Sequence, residues 1–400
     1  MVSSQPQSVL PSERSSSLDL IRGFALFGIA LVNVLDFSVS DENYLHFREI
    51  PVEERWILGG IMVFCGGKFL SLFSLLFGAG LRLLTQKLEE SGKSSGVVLR
   101  RLGWLWVFGI LHAYLIWYGD ILVGYAVTGF LIYWCRNWGL QTQATVGIVL
   151  VSLVMLFYGT IAALVGFFVD DSMLSEASFE AESGNFWDEE AFGKGWLDQM
   201  PLRASYAFIA HIFLIPFFVI PYSGGLMLLG MAMLRSGFFH DRWSRKRYVM
   251  QGSVCLAVGL LLVGIEALLN ARAGWELMGF ARHAIFGFLA APLLMMGYAS
   301  FLAMWSRTAW LGWLQAGFRS MGRMALSNYL CQSLIFSWIF YGHGLGLSQE
   351  FPLVRVVSMV VLPTLAIQMV ASILWLRAFQ FGPFEWLWRS LTYFRLMPIR

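Results

Sequence analysis

Charge is what this chain has least of. Only 13% of its 400 residues are Asp, Glu, Lys or Arg, whereas soluble domains average about 25%. A chain so poor in charge cannot dress a large core in a hydrated surface. Cysteine is also scarce. Cys65, Cys135, Cys255 and Cys331 form no CxxC pair and all fall in or beside apolar runs, which argues against a disulfide framework or a zinc site and for small buried side chains. There is no phosphate-loop pattern, no HExxH and no GxSxG, and no acid spacing in the 170–202 segment matches a calcium loop. No metal site is expected. The basic residues are dispersed between apolar segments, so nucleic acid is not an expected partner.

What is present is apolar and aromatic: 58% hydrophobic residues, with 17 Trp and 34 Phe. A spanning helix needs about 20 apolar residues. Candidate spans lie at roughly 18–35, 57–81, 102–118, 121–135, 144–169, 204–234, 249–269, 283–305, 324–342 and 356–376. The expected fold is an all-α integral membrane bundle of about ten helices, within residues 18–376. Residues 1–17 are polar and expected to be disordered, and 377–400 form a basic tail. The third and fourth spans read as a tight hairpin joined by Gly119 and Asp120. The sixth carries Pro216, Pro221 and Gly224-Gly225 and reads as one kinked helix or a broken one.

Loop charges set the orientation. The 82–101 and 235–248 connections, the segment before the ninth span and the C-terminal tail are basic. The 36–56 and 170–202 loops are acidic, the latter with nine acids and only Lys194. Both termini are therefore expected in the cytoplasm, with the 170–202 loop outside. Part of that loop, SFEAESGNFWDEEAFGKGW, reads as a short amphipathic surface helix.

Ionisable residues inside apolar spans are candidates for function because they are costly there. Lys68 sits beside a stripe of small residues, Gly67, Ser71, Ser74 and Gly78, expected near mid-membrane. The stripe suits close helix packing and equally permits a homodimer. Asp19 and Arg22 stand one turn apart, either a local ion pair at the inner interface or the start of a polar stripe that reaches Asn33 on the same helix face. His112 lies in the outer half of an otherwise apolar helix. Imidazole suits proton transfer near neutral pH, and a structural histidine bonding a neighbouring helix is the competing reading. Asp120 lies two turns on, in contact only if the chain folds back at Gly119 or a water intervenes. His211, Glu266, Arg282 and His283, with Asn33, are further candidates to line one outward-facing substrate cavity. His46, His240 and His343 read as loop residues.

Five segments carry a family resemblance: SLDLIRGFALFGIALVN at 17–33, KFLSLFSLLFGAGL at 68–81, HAYLIWYGDIL at 112–122, GRMALSNYLCQSLIFSWIFYGHGLGL at 322–347, and GPFEWLWRSLTYFRLMPIR at 382–400. Together they resemble the YeiB-like family, domain of unknown function 418. That resemblance implies a multi-pass protein of the bacterial inner membrane, related to the transmembrane acyltransferase superfamily. Members of that superfamily pass acyl groups from cytosolic acyl-CoA to acceptors, often with a histidine in the chemistry. Many carry that histidine in the first span, after an RG pair. Here Arg22-Gly23 is present and no histidine follows, so His112, inside a family-like segment, is the expected replacement.

The expected reaction takes an acyl group from acyl-CoA or acetyl-CoA, as co-substrate, to the hydroxyl or amine of a small-molecule, glycan or lipid-linked acceptor. Arg22, Lys68, Arg100 and Arg101 would hold the donor's phosphates or thioester, and His112 with Asp120 would activate the acceptor. The alternative is a transporter or flippase of a small or lipid-linked solute, which a kinked sixth helix and buried polar residues also suit.

Overall fold

The computed structural model describes residues 16–38, 51–92, 96–168, 192–240, 242–272, 279–348 and 350–400, apart from the side chains of 165–167, 271 and 279–284. Every described element is helical. In chain order the main ones are α1 (Ser16–Asn33), α2 (Val52–Phe64), α3 (Lys68–Glu90), α4 (Gly96–Leu115), α5 (Leu122–Tyr133), α6 (Leu140–Phe168), α7 (Met200–Arg235), α8 (Arg245–Arg272), α9 (Gly279–Trp305), α10 (Gly312–Arg323), α11 (Ala325–Phe340), α12 (Leu353–Ala378) and α13 (Pro383–Tyr393). Each expected span falls on one of these helices, except the second, which is divided between α2 and α3. Among the described residues eight helical runs are long and apolar enough to cross a membrane. The expected fourth and ninth spans are the shorter α5 and α11, of 12 and 16 residues. A bundle of helices, whose backbone groups bond within each segment, is one of the two architectures a bilayer tolerates.

Three expectations about the spans change. The second span is not continuous. Its helix breaks at Cys65–Gly67, where Gly67 takes a left-handed φ of 72°, and a new helix starts at Lys68. The sixth is one continuous rod, widened by a π-helical stretch at Ala210–Val219 that absorbs Pro216, whose ring would otherwise clash with the preceding turn. The α4–α5 connection comprises 116–121, longer than the two-residue turn expected. The acidic loops at 36–56 and 170–202 lie mostly outside the described residues, including the stretch expected as an amphipathic helix up to residue 191.

The small-residue stripe of α3 is filled from within the chain. A Cβ on Gly78 would lie 2.0 Å from the Met227 carbonyl oxygen of α7, and one on Gly230 would lie 1.9 Å from that of Leu75. Ser71 bonds the Tyr222 hydroxyl at 2.8 Å and Ser74 bonds Ser223 at 3.2 Å. Small side chains thus let the two backbones touch, while hydroxyls satisfy one another in the dry contact.

Polar contacts also gather the basic connections at one end of the bundle. Arg82 and Arg136 both reach Glu89, Arg235 reaches the Arg136 carbonyl, and Arg307 reaches that of Trp243. Arg323 bonds the Gln380 carbonyl and Arg100 that of Thr392. The C-terminal stretch is tied in here: α13 lies against α4 and α11.

Candidate functional site

His112 ends up three residues before the end of α4, with its side chain wholly buried. The helix loosens just after it, since the N–H groups of Ile116 and Trp117 both donate to the His112 carbonyl, each at 2.9 Å. The chain then turns back. Gly119 lies against the Trp117 ring, where a Cβ would come within 2.2 Å. This reversal brings Asp120 onto His112, with Nδ1 to Oδ1 at 2.9 Å. The other carboxylate oxygen, Oδ2, accepts the Val123 N–H at 2.7 Å in the first turn of α5. That is a favourable place for negative charge.

A carboxylate can only accept, so the shared proton sits on Nδ1 and the lone pair of Nε2 points away from Asp120. Nε2 is buried and has no hydrogen-bond partner among the described residues, an uncommon state for a buried polar atom. An oriented imidazole with an unengaged basic nitrogen has the layout of a general base.

Gly109, one turn below, makes room for the pair. A Cβ there would lie 2.5 Å from the Val123 nitrogen and 3.0 Å from Asp120 Oδ2. Overpacking of this kind costs about 1–3 kcal/mol. Gly109→Ala should lower the thermal midpoint and displace Asp120, and a misplacement of about 1 Å can cost 10²-fold in rate. Thermal unfolding and turnover assays check this. If both stayed at wild-type values, the close approach would be dispensable.

A cavity of about 280 Å³ leads from the basic end toward this pair. Asp19, Arg22, Lys87, Arg101, Arg323, Glu385 and Arg389 line it, together with apolar side chains including Leu26, Phe73, Phe77 and Leu105, and with Tyr125, Ile121 and Tyr329. Five cations thus face two carboxylates. Arg22 is paired with Asp19 at 3.1 Å, and Arg101 lies 3.7 Å above the Trp388 ring. Glu385, at the start of α13, accepts the Leu326 and Ser327 N–H groups at 2.7 and 3.1 Å and the Ser327 hydroxyl at 2.5 Å. Removal from water pushes its carboxyl above the ordinary range, while these hydrogen bonds pull it down. The stretch expected as a tail therefore supplies a wall of the cavity.

The remaining predicted residues are distributed differently. Arg100 does not line the cavity; it bonds the Thr392 carbonyl at 3.1 Å and faces the Phe394 ring, holding α13 in place. Lys68 is buried at the helix break, where its ammonium donates to the Met62 carbonyl at 2.8 Å. Satisfying a carbonyl freed at the break is what makes a lysine tolerable there. Glu266, buried on α8, lies within electrostatic reach of Lys68. His211 sits in the π-helical stretch, 3.3 Å from the Tyr114 hydroxyl and within electrostatic reach of Asp120. Asn33 is half-buried on the last turn of α1, away from the cavity lining. Arg282 and His283 stand near the start of α9, with side chains outside the described residues. Thus His112 and Asp120 meet, His211 is near them, and Lys68 and Glu266 form a separate group. Among the described residues, no group of three or more His, Cys, Asp or Glu side chains could hold a metal.

Tyr329, Glu385 and Trp388 were not singled out from the sequence, although each lies in one of the family-like segments. Comparison with known proteins bears on those segments directly. Residues 233–395 match a family described as Protein of unknown function (DUF418). The chain is 33% identical to the uncharacterized protein YxaH of Bacillus subtilis (strain 168), covering 98% of each chain. The chain belongs to the DUF418 family. It is also 31% identical to the uncharacterized protein YeiB of Escherichia coli (strain K12), over 95% of this chain and 96% of that relative. A third relative, an uncharacterized 39.9 kDa protein of Bacillus acidopullulyticus, is 26% identical over 97% of this chain. No solved structure matches. The bacterial relatives and the apolar helices make this a bacterial membrane protein of the DUF418 family.

Proposed function

We propose that the protein is an acyltransferase of the bacterial inner membrane, drawing its acyl group from a cytosolic acyl-CoA. The observation that carries this reading is the cavity with a cationic lining and an apolar interior that ends beside a histidine–carboxylate pair. Guanidinium groups match phosphate oxygens bidentately, so Arg22 and Arg101 suit the polyphosphate end of the donor. Along α4, Arg101 and His112 are eleven residues apart, about 16 Å of helix. An extended thioester arm lying along the apolar wall would carry the acyl carbonyl toward His112. His112 Nε2 then takes the proton from the acceptor's hydroxyl or amine as that atom attacks the thioester carbonyl. The carbon–sulfur bond breaks, and the departing thiolate recovers the proton from His112.

The positive-inside rule puts the basic end, and so the donor, on the cytoplasmic side. The acceptor is a small, glycan or lipid-linked molecule bearing a nucleophilic oxygen or nitrogen.

Calorimetric titration with acetyl-CoA and longer acyl-CoAs tests the donor site. Binding is expected, and Arg22→Ala and Arg101→Ala should each weaken it by about tenfold or more, because hydrogen bonds to charged groups are worth roughly 1.5–3 kcal/mol. Arg100→Ala should act indirectly, through α13, and lower the thermal midpoint more than the affinity. No binding of any acyl-CoA would leave the transporter reading, which the helix break at Cys65–Gly67 would then support.

A further inference from the structure

His112 and Asp120 do not line the cavity. Between cavity and imidazole stands Tyr329, on the second turn of α11. Its ring lines the cavity on one side and on the other lies 5.1 Å from the His112 ring, tilted by 47°. It is buried, with 2% of its surface exposed. Its hydroxyl meets the Ile121 N–H at 3.4 Å, beyond the usual range for a hydrogen bond from an amide. The phenol is therefore a bulky partition, weakly latched to the same turn that presents Asp120. Behind it, His112 Nε2 is buried without a partner among the described residues, as expected of a base shut away from its substrate.

We propose that Tyr329 is a mobile partition and positioning residue: its side chain closes the cavity against His112 at rest and swings aside to admit a ligand from the basic end. This deepens the acyltransferase reading, in which the moving phenol also fixes when the donor carbonyl meets the base. The geometric part stands without that reading, because it concerns only access from the cavity to position 112. In this proposal the ring leaves the gap by a change of the Tyr329 rotamer toward the cavity it lines.

The test measures access directly. In full-length protein with the four native cysteines replaced by serine, His112→Cys supplies a single thiol behind the partition. Its rate of modification by the anionic reagent methanethiosulfonate ethylsulfonate is compared with Tyr, Phe, Leu and Ala at position 329. A minor conformer is commonly populated at about 0.1–10%, so removing the partition should speed labelling about tenfold or more in Tyr329→Leu and Tyr329→Ala. Tyr329→Phe keeps the ring and should stay within about threefold of the parent, since the latch it loses is weak. The leucine variant lacks the far half of the ring but leaves a smaller void than alanine, so it serves if the alanine variant fails to fold. Labelling at the parent rate in folded Tyr329→Leu or Tyr329→Ala would overturn the proposal, as would Tyr329→Phe labelling as fast as Tyr329→Leu. If labelling depends on Tyr329 while no acyl-CoA binds, the partition stands and the donor assignment falls. If acyl-CoA binds while labelling ignores Tyr329, the reverse holds.

Discussion

Replacing His112 by glutamine should leave a folded protein that binds acyl-CoA with near-normal affinity and turns it over at least about 10²-fold more slowly, a loss of about 3 kcal/mol of transition-state stabilisation. The separation of the two effects follows from the geometry. Arg22 and Arg101 line the cavity and His112 does not, so donor affinity has no direct contact to lose. Glutamine keeps much of the size and can still hydrogen-bond Asp120, so the packing against Tyr329 and Trp117 survives. It offers no basic nitrogen where Nε2 stood.

Asp120→Asn should give a comparable loss of turnover by a different route. An asparagine amide can donate to Nδ1 and so favour the tautomer with the proton on Nε2, leaving the base blocked. Single-turnover assays with radiolabelled acyl-CoA, alongside calorimetry, read both parameters. A well-folded His112→Gln variant with near-normal turnover would end the assignment and move attention to His211, the histidine within reach of Asp120.

The second large effect concerns the fold. Gly23→Val should abolish stable folding, or at least remove about 3 kcal/mol, the upper end of ordinary overpacking costs. A Cβ on Gly23 would lie 1.9 Å from the Phe318 carbonyl oxygen of α10, and a Cβ on Gly322 would lie 1.9 Å from that of Asp19 on α1. The two helices meet backbone to backbone at both points, so no flexible side chain can give way. The same crossing places Asp19 and Arg22 at the cavity, which ties the Arg-Gly pair to the site through packing as well as charge. Gly264 on α8 is the matched control: nothing lies within 4 Å of its Cβ position, and Gly264→Ala should be neutral or slightly stabilising, since alanine favours helix over glycine by about 1 kcal/mol. Size-exclusion profiles of detergent-solubilised protein, followed through a thermal ramp, distinguish the two variants. A monodisperse Gly23→Val protein with an unchanged midpoint would contradict the crossing.

The candidate site was partly legible. His112 and Asp120 could be singled out because ionisable groups are rare in apolar helices and expensive there. Their contact could not, because eight residues along an ideal helix leave the two side chains on different faces. Only the reversal at 116–121 brings them together. Lys68 stands apart from the cavity for a related reason. A lysine in an apolar segment reads as a candidate ligand for the donor, while Gly66-Gly67 beside it breaks the helix and leaves a carbonyl that the ammonium satisfies. Tyr329, Glu385 and Trp388 gave no chemical signal of their own, because tyrosine and tryptophan are abundant in membrane helices and their interfaces and Glu385 lies in a stretch that reads as a basic tail.

Membrane residence, the helical class and the approximate positions of the spans were determined by the sequence alone. The reason is that the bilayer acts on each segment separately: about 20 apolar residues and internally bonded backbone suffice, whatever the neighbours are. Which residues make the cavity was decided only by tertiary structure. Its lining comes from α1, α3, α4, α5, α10, α11 and α13, brought together by contacts such as Gly23 on α10, Gly78 on α7 and Glu385 on the start of α11. Those contacts depend on the absence of a Cβ at a crossing or on one carboxylate meeting two N–H groups, and neither leaves a periodic trace in the chain.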